Sequence, residues 1–457
     1  MTVYLKPEKD KCLRELLLEK KINIQSPCGG NGKCGKCKVK LVKGKTIPSA
    51  DSEGFVSACH TKLLSPCVFY IPDFENDVYF NHLFSDEAPI YAICDVGTTN
   101  VKVTLYSKEF KVCSSKNFKN PQFPFGADVV SRISASKNGG YKELSAILRE
   151  GISRHLNGVE TVFVFGNPTM IHFMAGVDPS PIGVYPFECV FSEIKYLKKS
   201  ETDLPFDMVL LPSASGFVGS DAICGIYKAL SLNKKISLIA DLGTNGEISL
   251  IKNGEIFSAT TAAGPAIEGA GIEMGLCGGD GVVYQIDGEG APKFMGDKAK
   301  GINGGGLISL ISYLLRNKKI FSNGRLPDSR YYLTDGVYVS QKDISEFMIA
   351  KSAVRTAIDL LLKETETSFD EVDVLYLTGG VCVDLEVEDL AQTGIIPAEL
   401  KDKSVYVFNL AESGAFSACF ENNLHRLEQI SRKIKTLSLT DNEDFEEAFV
   451  LNTFFEE

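Results

Sequence analysis

The spacing of apolar residues changes character along the chain. Thr2-Val-Tyr-Leu-Lys6 alternates as a strand does, and Lys11 to Lys20 carries its apolar residues at helical spacing. Cys37 to Val42 alternates again, and Val68 to Ile71 reads as a closing strand ahead of Pro72. Strand, helix, glycine- and cysteine-rich loop, then strands predict a small α+β, grasp-like domain over residues 1–73. Residues 74–90 are mixed and acidic and predict a linker. From Tyr91 onward, short apolar runs alternate with helical segments, the pattern of an α/β fold. The predicted strands are Tyr91–Cys94, Val101–Leu105, Val162–Phe165, Met208–Leu211, Ile236–Ala240, Ile248–Ile251 and Val374–Leu377. Helical spacing is clearest over Tyr141–Leu156 and Ser345–Leu362. One feature recurs at long range. Ile93-Cys-Asp-Val-Gly-Thr-Thr-Asn-Val-Lys-Val-Thr-Leu105 and Ile239-Ala-Asp-Leu-Gly-Thr-Asn-Gly-Glu-Ile-Ser-Leu250 both read as strand, Asp-x-Gly-Thr turn, strand. The repeat predicts two related lobes, 91–235 and 236–457.

Composition narrows the class. The chain has 457 residues, 44% hydrophobic and 23% charged, as in ordinary globular proteins. A net charge of -11 argues against a nucleic-acid binder. Lys6, Glu8, Lys9, Asp10 and Lys11 follow Met1 closely, so no secretory signal is expected. No uncharged apolar run approaches the roughly 18 residues of a membrane span. The 13 cysteines are odd in number and do not suggest a disulfide framework. Cys113, Cys189, Cys224 and Cys382 lie in apolar segments and read as buried thiols in a reducing compartment, which predicts a cytoplasmic protein.

Four cysteines crowd together. Cys28, Cys34 and Cys37 are spaced Cys-x5-Cys-x2-Cys, and 21 residues separate Cys37 from Cys59. Plant-type 2Fe-2S loops use Cys-x4-Cys-x2-Cys and a distant fourth cysteine, so the first gap here is one residue longer. Gly29, Gly30, Gly32 and Gly35 allow the backbone to wrap tightly and turn N–H groups toward sulfur. A structural zinc site also uses four thiolates, but its ligands more often come as two Cys-x2-Cys pairs, and only one such pair exists here. The spacing therefore points to a 2Fe-2S cluster on Cys28, Cys34, Cys37 and Cys59. Cys67 is the rival for the fourth position, and His60 reads as a neighbour.

The two Asp-x-Gly-Thr turns are candidate phosphate loops. Gly97 and Gly243 permit a tight turn and close approach of backbone N–H groups to phosphate. The hydroxyls of Thr98, Thr99 and Thr244, with Asn245 beside them, suit phosphate oxygens. Asp95 and Asp241, at the strand ends, suit Mg²⁺ or an attacking water. Asp-x-Gly-Thr alone often makes an ordinary turn, but two at matched positions point to nucleotide. Val374-Leu-Tyr-Leu-Thr-Gly-Gly380 runs a strand into Gly379 and Gly380, where adenosine or phosphate could lie against backbone. Asn167 would position substrate or water, or serve only its turn. Glu268 would contact ribose or metal, or sit as a carboxylate at a helix start.

Two phosphate loops followed by a glycine-rich loop resemble the actin/Hsp70/sugar kinase superfamily, in which two ribonuclease-H-like α/β lobes close over ATP. Joined to a ferredoxin-type domain, the chain resembles the ATP-dependent reductive activators of corrinoid proteins. The resemblance runs through Ser26–Cys37, Gly126-Ala-Asp-Val-Val-Ser-Arg-Ile133, Gly166-Asn167, Gly219-Ser-Asp221, Ala263-Gly-Pro-Ala-Ile-Glu-Gly269 and Thr334–Ile344. It departs at Thr378-Gly-Gly-Val-Cys382, where Ala-Gly-x-Phe-Gly is expected. The resemblance implies a 2Fe-2S cluster, ATP and Mg²⁺ as cofactors. It implies a corrinoid protein or methyltransferase whose Co(II) is reduced to Co(I), and reduced ferredoxin or a similar donor. It allows a homodimer and implies no nucleic-acid or membrane partner. An activator of another low-potential metalloenzyme, or a small-molecule kinase with an accessory ferredoxin domain, are the other readings.

Overall fold

A computed structural model describes residues 2–456 except 21, 23, 25, 27–29, 31, 33–36, 72–77, 270, 277, 383 and 384. Cys28 and Cys34 therefore lie outside the described residues. The chain forms two compact units, residues 1–159 with 172–186, and residues 160–171 with 187–457.

The first unit opens with a four-stranded antiparallel sheet in the order Thr2–Leu5, Cys67–Tyr70, Lys38–Lys43, Phe55–Ser57. Alternation turns Val3, Leu5, Val39 and Phe69 inward. They meet Leu13, Leu16 and Leu17 of the helix Leu13–Glu19, whose i, i+3, i+4 spacing makes one apolar stripe. Glu15 secures the start of that helix by accepting from the Cys12 N–H at 2.7 Å. The first Asp-x-Gly-Thr repeat is an antiparallel hairpin, Tyr91–Val96 with Asn100–Tyr106, in register Val96↔Val101 and Asp95↔Lys102. Val112–Lys119 pairs with the second of these strands. Val78–Leu83 pairs with Val112–Lys119 in turn, so part of the stretch expected as a linker is an edge strand. Its flanking acidic residues mask a short run of good strand formers in the sequence.

The second unit holds a six-stranded mixed sheet, ordered Ser404–Tyr406, Val374–Thr378, Ile236–Leu242, Gly246–Lys252, Glu255–Thr261, Ile434–Thr436. Its centre is the second repeat, Ile236–Leu242 against Gly246–Lys252, with Val374–Thr378 running parallel to the first of these strands. The 24-residue helix Gln341–Glu364 begins at a Ser340/Asp343 capping box and lays Ile344, Phe347, Val354 and Leu361 into the core. The helix Gly304–Arg316 is buried almost throughout. Thr161–Gly166 and Asp207–Leu210 run parallel, with Lys195–Leu197 antiparallel beside them.

The helices Ser220–Ser231 and Leu410–Phe420 cross in close contact. A Cβ placed on Gly414 would lie 1.9 Å from the Cys224 carbonyl oxygen. Gly414→Ala gains up to about 1 kcal/mol of helix propensity. It costs about 1–3 kcal/mol in overpacking, because the obstacle is backbone and cannot rotate away. The expected result is net destabilisation, read as a lower urea midpoint, with an unchanged or higher midpoint as the contrary outcome.

Candidate functional site: a thiolate loop and two phosphate hairpins

Cys37 ends the thiolate loop at the start of Lys38–Lys43, and Cys59 follows Phe55–Ser57. These two strands are paired, Lys38↔Ser57, so register brings the cysteines together. Their Sγ atoms are 3.3 Å apart and neither is in a disulfide. Two thiolates on one tetrahedral ion with bonds of about 2.3 Å lie a little under 4 Å apart, so the pair fits one metal centre. Gly32 has φ +75°, and a Cβ there would fall 1.9 Å from His60 Nε2, so this close approach of Gly32 to His60 favours glycine. Cys67 is placed differently. It is buried in the sheet, with Sγ directed at the carbonyls of Ser65 (3.1 Å) and Lys45 (3.4 Å).

The first phosphate hairpin is tied down by its neighbours in the first unit. Asn120 donates from Nδ2 to the Gly97 carbonyl at 2.7 Å and from its backbone N–H to the Thr99 carbonyl at 2.8 Å. The completely buried Arg132 donates to the Gly126 carbonyl (3.0 Å), to Gln122 Oε1 (3.2 Å) and to the Thr98 carbonyl. Burial pulls the Arg132 guanidinium down to about 9, opposed by nearby Asp128. With these carbonyls engaged, the turn Gly97–Thr99 holds its shape. Asp95 ends the incoming strand, and Thr98 and Thr99 are buried beside it.

The second hairpin pairs Leu242↔Gly246, leaving Gly243, Thr244 and Asn245 as the turn. Glu268 grips this turn. Its carboxylate accepts from the Thr244 N–H and from Thr244 Oγ1, both at 2.9 Å. The Thr244 N–H and hydroxyl thus converge on one carboxylate, the pairing of donors that a candidate phosphate turn presents. Gly379, at φ +105°, lies so close that a Cβ would sit 2.3 Å from the Leu242 carbonyl and 2.8 Å from Asp241 Oδ1. The glycine-rich end of Val374–Thr378 is thus pressed onto the second phosphate loop, with open space over Gly380.

Asp241 does not stand alone. Glu247 faces it across the hairpin, and Asp221 and Glu268 add to its field. Burial, then Asp221 and Glu268, pushes Asp241 up to about 7. Burial pushes Asp221 up to about 6. Glu247 rises well above the usual carboxylate range through burial, then Asp221 and Asp241. Among the described residues no three His, Cys, Asp or Glu side chains form a cage that could hold a metal unaided. Mg²⁺ does not require one, because it commonly takes one or two carboxylates with nucleotide phosphates and water. Asn167 is buried, and its Oδ1 accepts from the Met170 N–H at 3.1 Å, capping the turn into the helix Pro168–Ala175. Gly219, where a Cβ would lie 2.7 Å from Asn167 Cα and 2.6 Å from Asp221 Oδ1, packs Asn167 against the Asp221 helix start.

Sequence reasoning missed Asp221, Glu247 and Arg132. The turn length carried a signal for Glu247, since pairing 242 with 246 sets 241 opposite 247. Asp221 and Arg132 lie in stretches that carry the family resemblance, but only tertiary approach brings them to the hairpins, so no role could be assigned to them.

Comparison with known proteins identifies the domains. Residues 2–64 match the 2Fe-2S iron-sulfur cluster binding domain, 91–235 the RACo middle region, and 235–457 the C-terminal ASKHA domain of RACo. The chain is 27% identical over 428 residues to the corrinoid activation enzyme RamQ of Eubacterium limosum, covering 81% of this chain and 71% of that protein. It is 24% identical over 362 residues to a [Co(II) methylated amine-specific corrinoid protein] reductase of Methanosarcina barkeri, covering 67% and 66%. A solved reductive activator for corrinoid, iron-sulfur protein superposes with a TM-score of 0.73 at 22% identity, covering 99% of this chain and 96% of that one. The chain is therefore a 2Fe-2S domain joined to an ASKHA-type, ATP-binding domain of the actin and sugar-kinase fold. It belongs to the RACo family of ATP-dependent reductive activators. Among the described residues no helix is long and apolar enough to cross a membrane.

Two predictions follow from the geometry. The folded protein holds Asp221, Asp241 and Glu247 protonated to higher pH than the unfolded chain, whose carboxyls titrate near 4. Folding therefore takes up protons, and this contribution to stability falls as pH rises from about 4 through about 7. Thermal midpoints of Mg²⁺-free protein should fall more steeply between pH 5 and pH 8 than those of Asp241→Asn. Equal slopes would contradict the crowding. Separately, Cys59→Ser should abolish the visible spectrum of the 2Fe-2S cluster and Cys67→Ser should leave it. The reverse pattern would make Cys67 the fourth ligand.

Proposed function

We propose that this protein passes a low-potential electron from a 2Fe-2S cluster on Cys28, Cys34, Cys37 and Cys59 to the Co(II) corrinoid of a methyltransferase or corrinoid protein. One electron returns the cobalt to Co(I), and Mg-ATP drives the step. The observation that carries this reading is the union in one chain of a paired-thiolate loop and two Asp-x-Gly-Thr hairpins. When bound, the cluster supplies a one-electron carrier, with plant-type potentials of about -400 mV. Co(I) is a stronger reductant, so delivery needs an energy source. Nucleotide supplies it only by binding one conformation more tightly than another.

Each residue has a part in this scheme. Asp95 on the first hairpin and Asp241 on the second are the candidates for organising Mg²⁺ and the attacking water, and Asn167 for positioning substrate or water. Gly97, Thr98 and Thr99 on one hairpin, and Gly243, Thr244 and Asn245 on the other, bind phosphate. Glu268 keeps the Thr244 donors occupied until phosphate replaces its carboxylate. Gly379 and Gly380 offer backbone to adenosine. Reduced ferredoxin or a similar small carrier refills the cluster, the protein works as a monomer or homodimer, and its buried thiols suit the cytoplasm.

The same scheme with a different acceptor describes an activator of another low-potential metalloenzyme, and the names of the two sequence relatives favour the corrinoid. The test is ATP turnover in the cluster-loaded protein under anaerobic conditions. Free phosphate release should rise when a Co(II) corrinoid protein is added. Asp241→Ala should lower that rate by about 100-fold or more, in the range of a lost electrostatic catalytic group, with the cluster spectrum intact. A phosphorylated small molecule in place of free phosphate, or full turnover by Asp241→Ala, would contradict the assignment.

A further inference from the structure

Arg14 stands between the thiolate loop and the first phosphate hairpin, all within the first compact unit. Its backbone N–H donates to the carbonyl of Ala58, the residue before Cys59, at 3.0 Å. Its Nε donates to the buried Ser26 Oγ at 3.0 Å, at the entrance to the loop that carries Cys28 and Cys34. A Cβ on Gly30 would lie 3.1 Å from Arg14 Nη1, so the guanidinium lies against the loop itself. Its Nη2 reaches the other way and donates to the Pro124 carbonyl at 2.5 Å, 110 residues further along the chain.

Pro124 is the middle residue of the short 3-10 turn Phe123–Phe125. The segment around this turn holds the first phosphate hairpin on both sides. Asn120, just before it, bonds the Gly97 and Thr99 carbonyls. Gly126, just after it, and Gln122 are held by Arg132, which also bonds the Thr98 carbonyl. A path of hydrogen bonds and intervening backbone therefore runs from Thr98 through Arg132 and the 120–126 turn to Arg14, and on to Ser26 and Ala58, which flank the cysteine loop and Cys59. A single planar guanidinium holds both ends of its part of the path, which an ammonium on a flexible stem does not reproduce.

We propose that Arg14 is a positioning residue that couples the nucleotide state of the first phosphate hairpin to the redox state of the cluster. The inference rests on the cluster and nucleotide assignments above and not on the identity of the acceptor. Phosphate arriving at Thr98 and Thr99 shifts the 120–126 turn, and Arg14 carries the shift to the loop that surrounds the cluster. Linkage makes the effect reciprocal. If nucleotide changes the cluster potential, reduction of the cluster changes nucleotide affinity by the same factor.

The test uses the cluster-loaded full chain, anaerobically, with Mg-ATP and no corrinoid. Nucleotide Kd is measured with the cluster oxidised and after chemical reduction, in wild type, Arg14→Ala and Arg14→Lys. Wild type should show a Kd ratio of about fivefold or more, the lower range of measured couplings. By linkage the cluster midpoint should move by about 40 mV on adding nucleotide, since a one-electron couple shifts about 59 mV per tenfold. In Arg14→Ala the ratio should fall to within twofold of one, with the oxidised cluster spectrum unchanged. If Arg14→Ala fails to load its cluster, Arg14→Lys carries the test. It keeps the charge and should still lose most of the ratio. A ratio near one in wild type, or a full ratio in the variants, would overturn the coupling. Failure to reduce any corrinoid with the ratio intact would instead count against the acceptor proposed above.

Discussion

Crowded negative charge at the end of one strand sets the terms for the second unit. Asp241 points toward Glu247 across its hairpin and shares its surroundings with Asp221 and Glu268. Half-buried carboxylates at such spacing repel one another, and protonation or a cation relieves them. The fold sustains the crowding because strand register and the close fit of Gly379 leave Asp241 no other place. A site built this way is stabilised by what it binds. In the proposed scheme, Mg²⁺ accompanied by phosphate would neutralise the carboxylates and, at Thr244, would take the donors that Glu268 now occupies.

The same economy of means is seen in the first unit, where charge is used in the opposite sense. Arg132 is buried and donates to the Gly126 and Thr98 carbonyls and to the Gln122 amide oxygen. Arg14 donates to the Ser26 hydroxyl and the Pro124 carbonyl. Both guanidiniums serve as struts between backbone segments.

Much of this was legible in the sequence, and the gaps have physical causes. The hairpins were readable because an Asp-x-Gly-Thr turn separates two apolar runs in each. The thiolate loop was readable from cysteine spacing. The strands Val112–Lys119 and Glu255–Thr261 were not, because they bury serine. Ser115 bonds Thr104 at 3.2 Å and Ser258 bonds Ser249 at 2.9 Å, so polar side chains sit inward at no cost and the apolar alternation disappears. Asn167 kept two readings in the sequence, and the structure gives its side-chain oxygen a capping bond. Asp221 and Arg132 depend on tertiary approach, which no local pattern encodes.

The central claim is that nucleotide energy moves an electron uphill from this chain to cobalt. The most direct measurement is anaerobic absorption spectroscopy of a Co(II) corrinoid protein mixed with the reduced, cluster-loaded chain. The account predicts that the Co(I) absorption rises when Mg-ATP is added and stays absent with Mg-ADP or with a cluster-free chain. Co(I) formation at the same rate and extent without ATP, or none with any Co(II) corrinoid protein of the methyltransferase class, would contradict it.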